Sequence, residues 1–345
     1  MGAWYDRLAD TVPAWLATLK SPNGLYKHSA SAYHEESLDA TTLALDLEQM
    51  LSMLPSKSGV KFIKSCQNGT TGEVREPFYR ELSAEGRLRE MAHTYSGCQV
   101  AALFMAIDAH LQSEFKFYRQ FLYPGAISHY MIHNMPWDTK PMGAGNMVDA
   151  AATMMRYNVR MQHKHAYWHV INEMYQWLDE HQRTWEHGFW GSEAEQGVSG
   201  VVQAGYHILR GLHWQDGRYY TDNHMESTVF EAMDHPSAPK DACHYMDCTV
   251  LAEHLSQLCP GCKIDREIAE LAIEDLEEFH RDDGAFSFSP DGAIDNHNLY
   301  DVSPGNLESD IVGTVFCMQA LRSALHVLGE EVPWGESATH GVRRG

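Results

Sequence analysis

Two kinds of helical segment alternate along the chain, amphipathic ones and apolar ones rich in small residues, and short loops with glycine and an aromatic residue join them. The segments 177–182, 188–191 and 200–205 give one example of this order. Apolar positions recur every three to four residues, as in a helix, and the alternation typical of strands is nearly absent. Because the same order returns along the chain, the sequence predicts stacked supersecondary units.

The repeat predicts six helical hairpins, each with an amphipathic outer helix and an apolar inner helix. The outer helices are expected near residues 4–20, 57–67, 111–122, 163–182, 223–234 and 264–280. The inner helices are expected near residues 36–54, 91–110, 145–160, 198–213, 241–258 and 308–328. Since the apolar sides of both sets must cover each other, we predict an all-α fold, a closed (α/α)6 toroid of two concentric layers.

No linker divides the run of hairpins, so a single domain is expected over residues 1–345. Its ordered core is predicted at about 4–330, and the polar tail 331–345 is expected to be frayed. Two long loops are predicted, at 123–144 and 284–307. Loops of this length without structure are usually functional or disordered.

The acidic composition narrows the range of partners. The chain has 26 Lys and Arg against 47 Asp and Glu, a formal net charge of −21. This charge argues against nucleic acid as a partner, because polyanions are repelled. No stretch approaches the roughly 18 apolar residues of a membrane span. The N-terminus lacks the features of a secretory signal, so a cytoplasmic protein with reduced cysteines is expected. The oligomeric state stays open.

One CxxC, Cys259 and Cys262, raises the question of a metal. A structural zinc would need further ligands, and Cys248 lies about 16 Å away along the same predicted helix. A turn that closes the helix is therefore favoured over a metal or redox site, although the latter stays open. No metal and no cofactor are predicted.

The order of helices and loops over residues 10–330 resembles the α/α toroid of squalene-type terpenoid cyclases and protein prenyltransferase β-subunits. Carbohydrate-active enzymes also use six-hairpin barrels, so the fold leaves the function open. Residues 245–250 are similar to the Asp-x-Asp-Asp-Thr-Ala motif of class II terpenoid cyclases, with matches at Asp247 and Thr249. The resemblance implies that Asp247 stands where those enzymes protonate an alkene or epoxide. No equivalent of the prenyltransferase zinc ligands is apparent.

The starts of the inner helices should surround the mouth of a central cavity, where helix N-termini favour negative charge. We predict Asp247 as the general acid or base, with His244 one turn earlier as its tuning partner. Tyr206 and His207 are a second candidate pair for proton transfer. The predicted substrate-binding residues are Tyr245, Asp39, His93, Tyr95, Asn146, Asp149, Trp190, Gln203 and Asp310; His34, Glu36, Ser199 and Thr314 also lie at helix starts.

Each candidate also has a structural interpretation. Asp310, Ser199 and Asp39 can cap helix N-termini. Asp247 and His244 can form a buried hydrogen bond that holds the barrel together. Tyr206-His207 can serve packing alone, and the loop aromatics can wedge one hairpin against the next.

The favoured function is a metal-independent enzyme that binds a small-molecule substrate in the central cavity. A terpenoid-cyclase-like reaction, initiated by protonation, ranks first. A hydrolase or lyase that acts on a sugar or uronate is the alternative. A non-catalytic module that binds a small molecule or a protein is the third hypothesis.

Overall fold

The computed structural model describes residues 4–78, 87–182, 187–193, 195–213, 224–258, 263–298 and 300–341. These ranges form the α-helices α1 (Leu8–Thr18), α2 (Leu38–Met50), α3 (Lys57–Ser65), α4 (Arg87–Ala106), α5 (Ala126–His133), α6 (Pro141–Arg160), α7 (Tyr167–Gln182), α8 (Gly197–Ile208), α9 (Met225–Asp234), α10 (Ala242–Leu258), α11 (Lys263–Leu276) and α12 (Ile311–Leu328). Two short strands, β1 (Asn296–His297) and β2 (Tyr300–Asp301), pair as an antiparallel hairpin.

Six apolar helices close into a ring at the centre of the molecule. α2 contacts α4, α4 contacts α6, α6 contacts α8, α8 contacts α10, α10 contacts α12, and α12 returns to α2. Outside them, α3 packs on α2, α7 on α6, α9 on α8 and α10, and α11 on α10 and α12. The predicted all-α (α/α)6 toroid is confirmed.

The two layers differ in burial as their sequences predict. The inner helix α12 is buried almost continuously from Ile311 to Leu325, whereas the outer helix α3 buries only Gly59 and Ile63. Small residues let the inner helices approach closely. A Cβ at Gly145 of α6 would lie 2.6 Å from the Ala204 Cα of α8, so no larger residue fits there.

The third hairpin differs from its prediction. Its outer segment is a 3-10 helix, Lys116–Leu122, and α5 then occupies part of the predicted loop at 123–144. Pro124 and Gly125 separate the two, since proline cannot continue a helix and Gly125 has a φ of +79°. α6 begins at Pro141, four residues earlier than expected, because proline suits the first turn of a helix.

The described part of the polar tail, up to residue 341, is packed rather than frayed, contrary to the prediction. Residues 334–341, here called the C-terminal strap, are mostly buried. The buried carboxylate of Asp46 on α2 accepts hydrogen bonds from Ser337 Oγ at 2.6 Å and from Ala338 N at 2.7 Å. The Trp334 indole donates to the Met318 carbonyl. The polar groups of the strap therefore pair with inner helices instead of water.

Among the described residues, one helix is long and apolar enough to cross a membrane, contrary to the expectation that no stretch approaches this composition. It is α12, with a mean hydropathy of 1.5 over 18 residues. In the fold, 78% of this stretch is buried, and α12 packs between α10, α11 and α2. Its apolar composition is explained by its place in the inner ring.

Candidate active site

A cavity of about 560 Å³ lies within the ring of inner helices. Its wall is built from α4, α6, α8, the start of α10, α12 and the loop 288–298. Among the described residues, the lining carries one carboxylate, Asp241, and two imidazoles, His207 and His297. The chemistry of the cavity therefore depends on how these groups are held.

His207, on α8, is oriented by a buried carboxylate. Its Nδ1 lies 3.1 Å from Asp149 Oδ2 of α6, and the Arg210 guanidinium donates to the same oxygen. Thr153 Oγ1 donates to the other carboxylate oxygen at 3.1 Å. The carboxylate only accepts and lies nearer to Nδ1 than the donating Arg210 nitrogen does, at 3.1 against 3.4 Å. We therefore assign the proton of the neutral ring to Nδ1 and the lone pair to Nε2. We call His207, Asp149, Arg210 and Thr153 the Asp149 cluster.

Burial lowers the pKa of His207 to about 3, so the ring is neutral at ordinary pH. Arg210 also donates to the Thr339 carbonyl at 2.7 Å, which ties the cluster to the C-terminal strap. Nε2 of His207 has no hydrogen-bond partner within the described part of the chain. The ring is therefore a fixed, unprotonated imidazole in the cavity wall.

A second carboxylate, Asp39 in the first turn of α2, is held by two imidazoles. Asp39 Oδ2 lies 2.9 Å from His28 Nε2 and 2.6 Å from His297 Nδ1. Asn298 Nδ2 donates to Asp39 Oδ1 at 2.8 Å. The side-chain ligand atoms of His28, Asp39 and His297 all lie within 4.8 Å of one another. We call these four residues the Asp39 cluster; a metal ion is the one kind of cofactor its donor set suits.

The carboxylate of Asp39 pairs with two imidazoles, whereas that of Asp149 pairs with the guanidinium of Arg210. Burial alone would raise the pKa of Asp39, but His297 and His28 lower it below its ordinary value overall. Glu76 lies beside it and accepts from the backbone N–H groups of Leu38 and Asp39, at 2.7 and 3.2 Å. Two carboxylates thus share the start of α2.

The predicted candidates fall into three groups. Four of them line the cavity, namely Tyr95, Asn146, Gln203 and His207. Asp39 and Asp149 lie directly behind the wall, each bonded to an imidazole that lines it. The side chain of His93 lies outside the described residues, as do Cys259 and Cys262. The five described cysteines form no disulfide.

The predicted partnership of His244 and Asp247 is not seen as a contact, and their role in proton transfer stays a prediction. Both side chains are buried, neither lines the cavity, and no hydrogen bond joins them. His244 Nε2 lies 3.2 Å from the Ala232 carbonyl of α9, and Cys243 Sγ lies 3.9 Å from Asp247 Oδ2. Residues three positions apart lie on the same face of a helix. The side chains of His244 and Asp247 nevertheless contact different neighbours.

Burial also decides the protonation of this pair. It raises the pKa of Asp247 well above its ordinary value and lowers that of His244 to about 4, so the His244 ring is neutral at pH 7. Asp247 Oδ1 and His244 Nδ1 are buried without hydrogen-bond partners. The role of Asp247 in proton transfer stays untested, and the pair's predicted link to the cavity is absent.

Four further candidates do not line the cavity, although Asp310 accepts from the backbone N–H groups of the lining residues Phe288 and Ile294. Asp310 caps α12 by accepting from Gly313 N at 2.8 Å, so its capping interpretation is confirmed. The cap of α2 is Ser37 rather than Asp39, and that of α8 is Gln196 rather than Ser199. The other contacts are Tyr206 Oη to the His340 carbonyl, Tyr245 Oη to Asp275 and the Trp190 indole to the Leu178 carbonyl.

His297, His28, Asn298 and Arg210 were not predicted. His297 and Asn298 lie in the predicted long loop 284–307, whose length was itself a functional signal. His28 lies in a loop ten residues before α2, where helical periodicity gives no information. Only the fold brings these positions together.

Comparison with known proteins places the chain at the level of fold. No known family pattern and no curated protein sequence matches it. A cellobiose 2-epimerase from Spirochaeta thermophila superposes with a TM-score of 0.52 and 11% identity, over 93% of this chain and 96% of that one. An α-1,6-mannanase from Salegentibacter gives 0.50 and 9%, over 94% and 99%. A type II terpene cyclase from Scytonema gives 0.47 and 14%, over 94% and 99%.

The epimerase and the mannanase are both enzymes, and their reactions differ. At 9–11% identity they show the architecture of the chain and leave its reaction open. The protein therefore has the α/α toroid fold found in several classes of enzyme, as its sequence repeat predicted.

Proposed function

We propose that the protein is a carbohydrate-active lyase or isomerase in which His207 transfers a proton to or from the substrate. The observation that carries this proposal is the Asp149 cluster. It presents the His207 imidazole to the cavity, with Nδ1 held by a carboxylate and Nε2 bonded to no described residue. A carboxylate that fixes the tautomer and orientation of a histidine is a recurring way to prepare a general base.

The lining favours a polar substrate over an isoprenoid. Asn146, Gln203, Asn296 and Asn298 present amides, which can both donate to and accept from hydroxyl groups. Asn146 Oδ1 is buried without a partner, so a ligand hydroxyl there would satisfy it. Apolar side chains such as Phe288 supply faces for the carbon side of a sugar ring. The volume lies in the ordinary range of small-molecule sites, about 300–1,000 Å³.

The terpenoid-cyclase hypothesis loses support because its acid, Asp247, does not line the cavity. A glycoside hydrolase generally needs two carboxyl groups across the scissile bond. In the described part of the lining, Asp241 is the one carboxylate, and it accepts from His244 N at the start of α10. A histidine that abstracts a proton from carbon suits a lyase or an isomerase better.

In the proposed step, Nε2 of His207 takes a proton from a carbon next to a carbonyl or carboxyl group of the sugar. The electron pair of the C–H bond is delocalised into that group. An isomerase returns a proton to the carbanion, and a lyase expels the group on the neighbouring carbon. Asp149 holds the imidazolium that forms, and Arg210 holds Asp149.

Solvent exchange tests the proposal without knowledge of the product. The protein is incubated in D2O with a panel of neutral and uronic oligosaccharides, and deuterium at carbon is measured by NMR and mass spectrometry. Exchange or elimination is expected with at least one member of the panel, and loss of both in His207→Asn. Tyr245→Phe is the control, because its hydroxyl contacts Asp275 rather than the cavity.

The proposal fails if folded His207→Asn keeps the wild-type rate. It also fails if no sugar reacts while an isoprenoid substrate does, which would favour the terpenoid hypothesis. Tight binding of a sugar without exchange or product would instead favour a binding module.

A further inference from the structure

We propose that His28, Asp39 and His297 bind a divalent transition-metal ion at the cavity wall. The inference goes beyond the proposed function, since ion binding does not depend on which reaction the cavity supports. Two imidazole nitrogens and one carboxylate oxygen are a donor set that suits Zn²⁺ and related ions.

The spacing of the ligand atoms fits an ion with little rearrangement. Asp39 Oδ2 lies 2.9 Å from His28 Nε2 and 2.6 Å from His297 Nδ1. Ligands about 2.0–2.1 Å from a tetrahedral ion lie roughly 3.3 Å from one another. Each imidazole therefore needs to move away from Asp39 Oδ2 by about half an ångström to admit the ion.

Charge provides the second argument, because the Asp149 cluster is an internal comparison. There, the Arg210 guanidinium pairs with the buried carboxylate. Asp39 is paired with imidazoles only, and no Lys or Arg forms an ion pair with it among the described residues. The side chain of Glu76 accepts from the N–H of Asp39 itself, which places a second acidic group beside the cluster. A divalent ion would supply the positive charge that Arg210 supplies on the other wall.

The ligands are also held from outside, as metal ligands usually are. Asn298 Nδ2 bonds Asp39 Oδ1 and leaves Oδ2 directed at both imidazoles. The Tyr95 ring lies edge-on to the His297 ring, with 6.1 Å between centroids. The backbone of His28 is fixed by a hydrogen bond from Ile311 N to its carbonyl.

The proposed site is open toward the cavity. His297 and Asn298 line the cavity, whereas His28 is fully buried behind it. The described part of the chain offers three protein ligands here, which matches catalytic zinc sites that keep a position for water or substrate. An ion at this wall would polarise a substrate oxygen as a Lewis acid.

Metal titration of the full chain tests the inference. The protein is stripped with EDTA and titrated with Zn²⁺, Co²⁺, Mn²⁺ and Mg²⁺, with affinity from calorimetry and stoichiometry from elemental analysis. One equivalent of Zn²⁺ or Co²⁺ is expected to bind, with Mg²⁺ weaker. His297→Ala should lower the affinity at least about 100-fold, and Asn298→Ala about 10-fold. The matched control is His207→Gln, which changes the histidine of the other wall and should keep wild-type affinity.

Bound Co²⁺ separates this site from Cys259 and Cys262. Nitrogen and oxygen ligands give weak visible bands alone, whereas cysteine ligands add thiolate charge-transfer absorption. The inference is overturned if no ion binds stoichiometrically, if folded His297→Ala binds as tightly as wild type, or if thiolate bands appear. Absence of stoichiometric metal binding together with His207-dependent proton exchange would refute only this inference. A bound ion without any sugar turnover would refute only the proposed function.

Discussion

The two walls of the cavity carry the same pair of groups in different electrostatic settings. On each wall, a buried aspartate from an inner helix contacts Nδ1 of an imidazole that lines the cavity, at 3.1 Å for Asp149 and His207 and 2.6 Å for Asp39 and His297. Arg210 completes the first pair. A second imidazole, His28, and an adjacent carboxylate, Glu76, complete the other.

The comparison teaches that an aspartate–histidine contact does not by itself define a chemical role. Where Arg210 pairs with the carboxylate, we propose proton transfer as the role of the imidazole. Where imidazoles alone pair with it among the described residues, we propose that the same contact provides ligands for an added cation. Four predictions test this difference, from the largest expected effect to the smallest.

His207→Asn should reduce turnover of the sugar identified by solvent exchange by about 10²–10⁴-fold, the usual contribution of a general acid–base group. The variant should remain folded, because Nε2 of His207 bonds to no described residue. Steady-state kinetics with circular dichroism would measure both. An equal fall in turnover for the control Tyr245→Phe would mean that the site is elsewhere.

Arg210→Met should lower the free energy of unfolding by about 3–5 kcal/mol, since it leaves the buried Asp149 carboxylate without its positive partner. Urea unfolding would measure the change. The control is Arg75→Met at the exposed pair with Glu73, where a loss below about 1 kcal/mol is expected. Similar losses for both variants would show that Asp149 does not depend on Arg210.

Asp46→Asn should weaken the C-terminal strap and cost about 1–3 kcal/mol, because an amide nitrogen cannot accept from Ala338 N or Ser337 Oγ. Hydrogen exchange should rise in residues 334–341. Since the strap contacts Arg210 at Thr339, the Asp149 cluster should be disturbed, while Zn²⁺ affinity at the Asp39 cluster should stay unchanged. A strap that stays protected would contradict this account; exposed Asp234→Asn is the control.

The stability difference between wild type and His207→Gln should change with pH. An unfolded histidine protonates near pH 6.5, whereas burial lowers the pKa of His207 to about 3 in the fold. Between these values the unfolded chain binds more protons, so wild type should lose stability relative to the glutamine variant as pH falls. The expected slope is about 1.4 kcal/mol per pH unit below about pH 6.

Urea unfolding of both proteins from pH 7.5 to 4.5 would give this difference directly. The comparison with the variant is necessary because burial raises the pKa of Asp310 to about 7, which acts on stability in the opposite direction. A difference that is independent of pH would mean that His207 is not buried in its neutral form.

The sequence by itself determined the helices and their arrangement in a ring. Apolar periodicity separates inner from outer helices, and this information is local, so segments such as α10 and α12 were predicted within a few residues. It failed at the third hairpin, where the outer segment is a 3-10 helix and α5 occupies part of a predicted loop. The sequence also named His207, Asp149 and Asp39, but as separate candidates at helix starts.

Only the tertiary structure decided which candidates work together. Asp149 meets His207 because α6 packs against α8, and Asp39 meets His297 across 258 positions of the chain. His244 and Asp247, adjacent turns of one helix, do not meet. Helical period fixes which face a residue shares, whereas rotamers, neighbouring elements and burial fix which atoms touch and which groups are charged. Rotamers, neighbouring elements and burial all depend on contacts between residues that are distant in sequence.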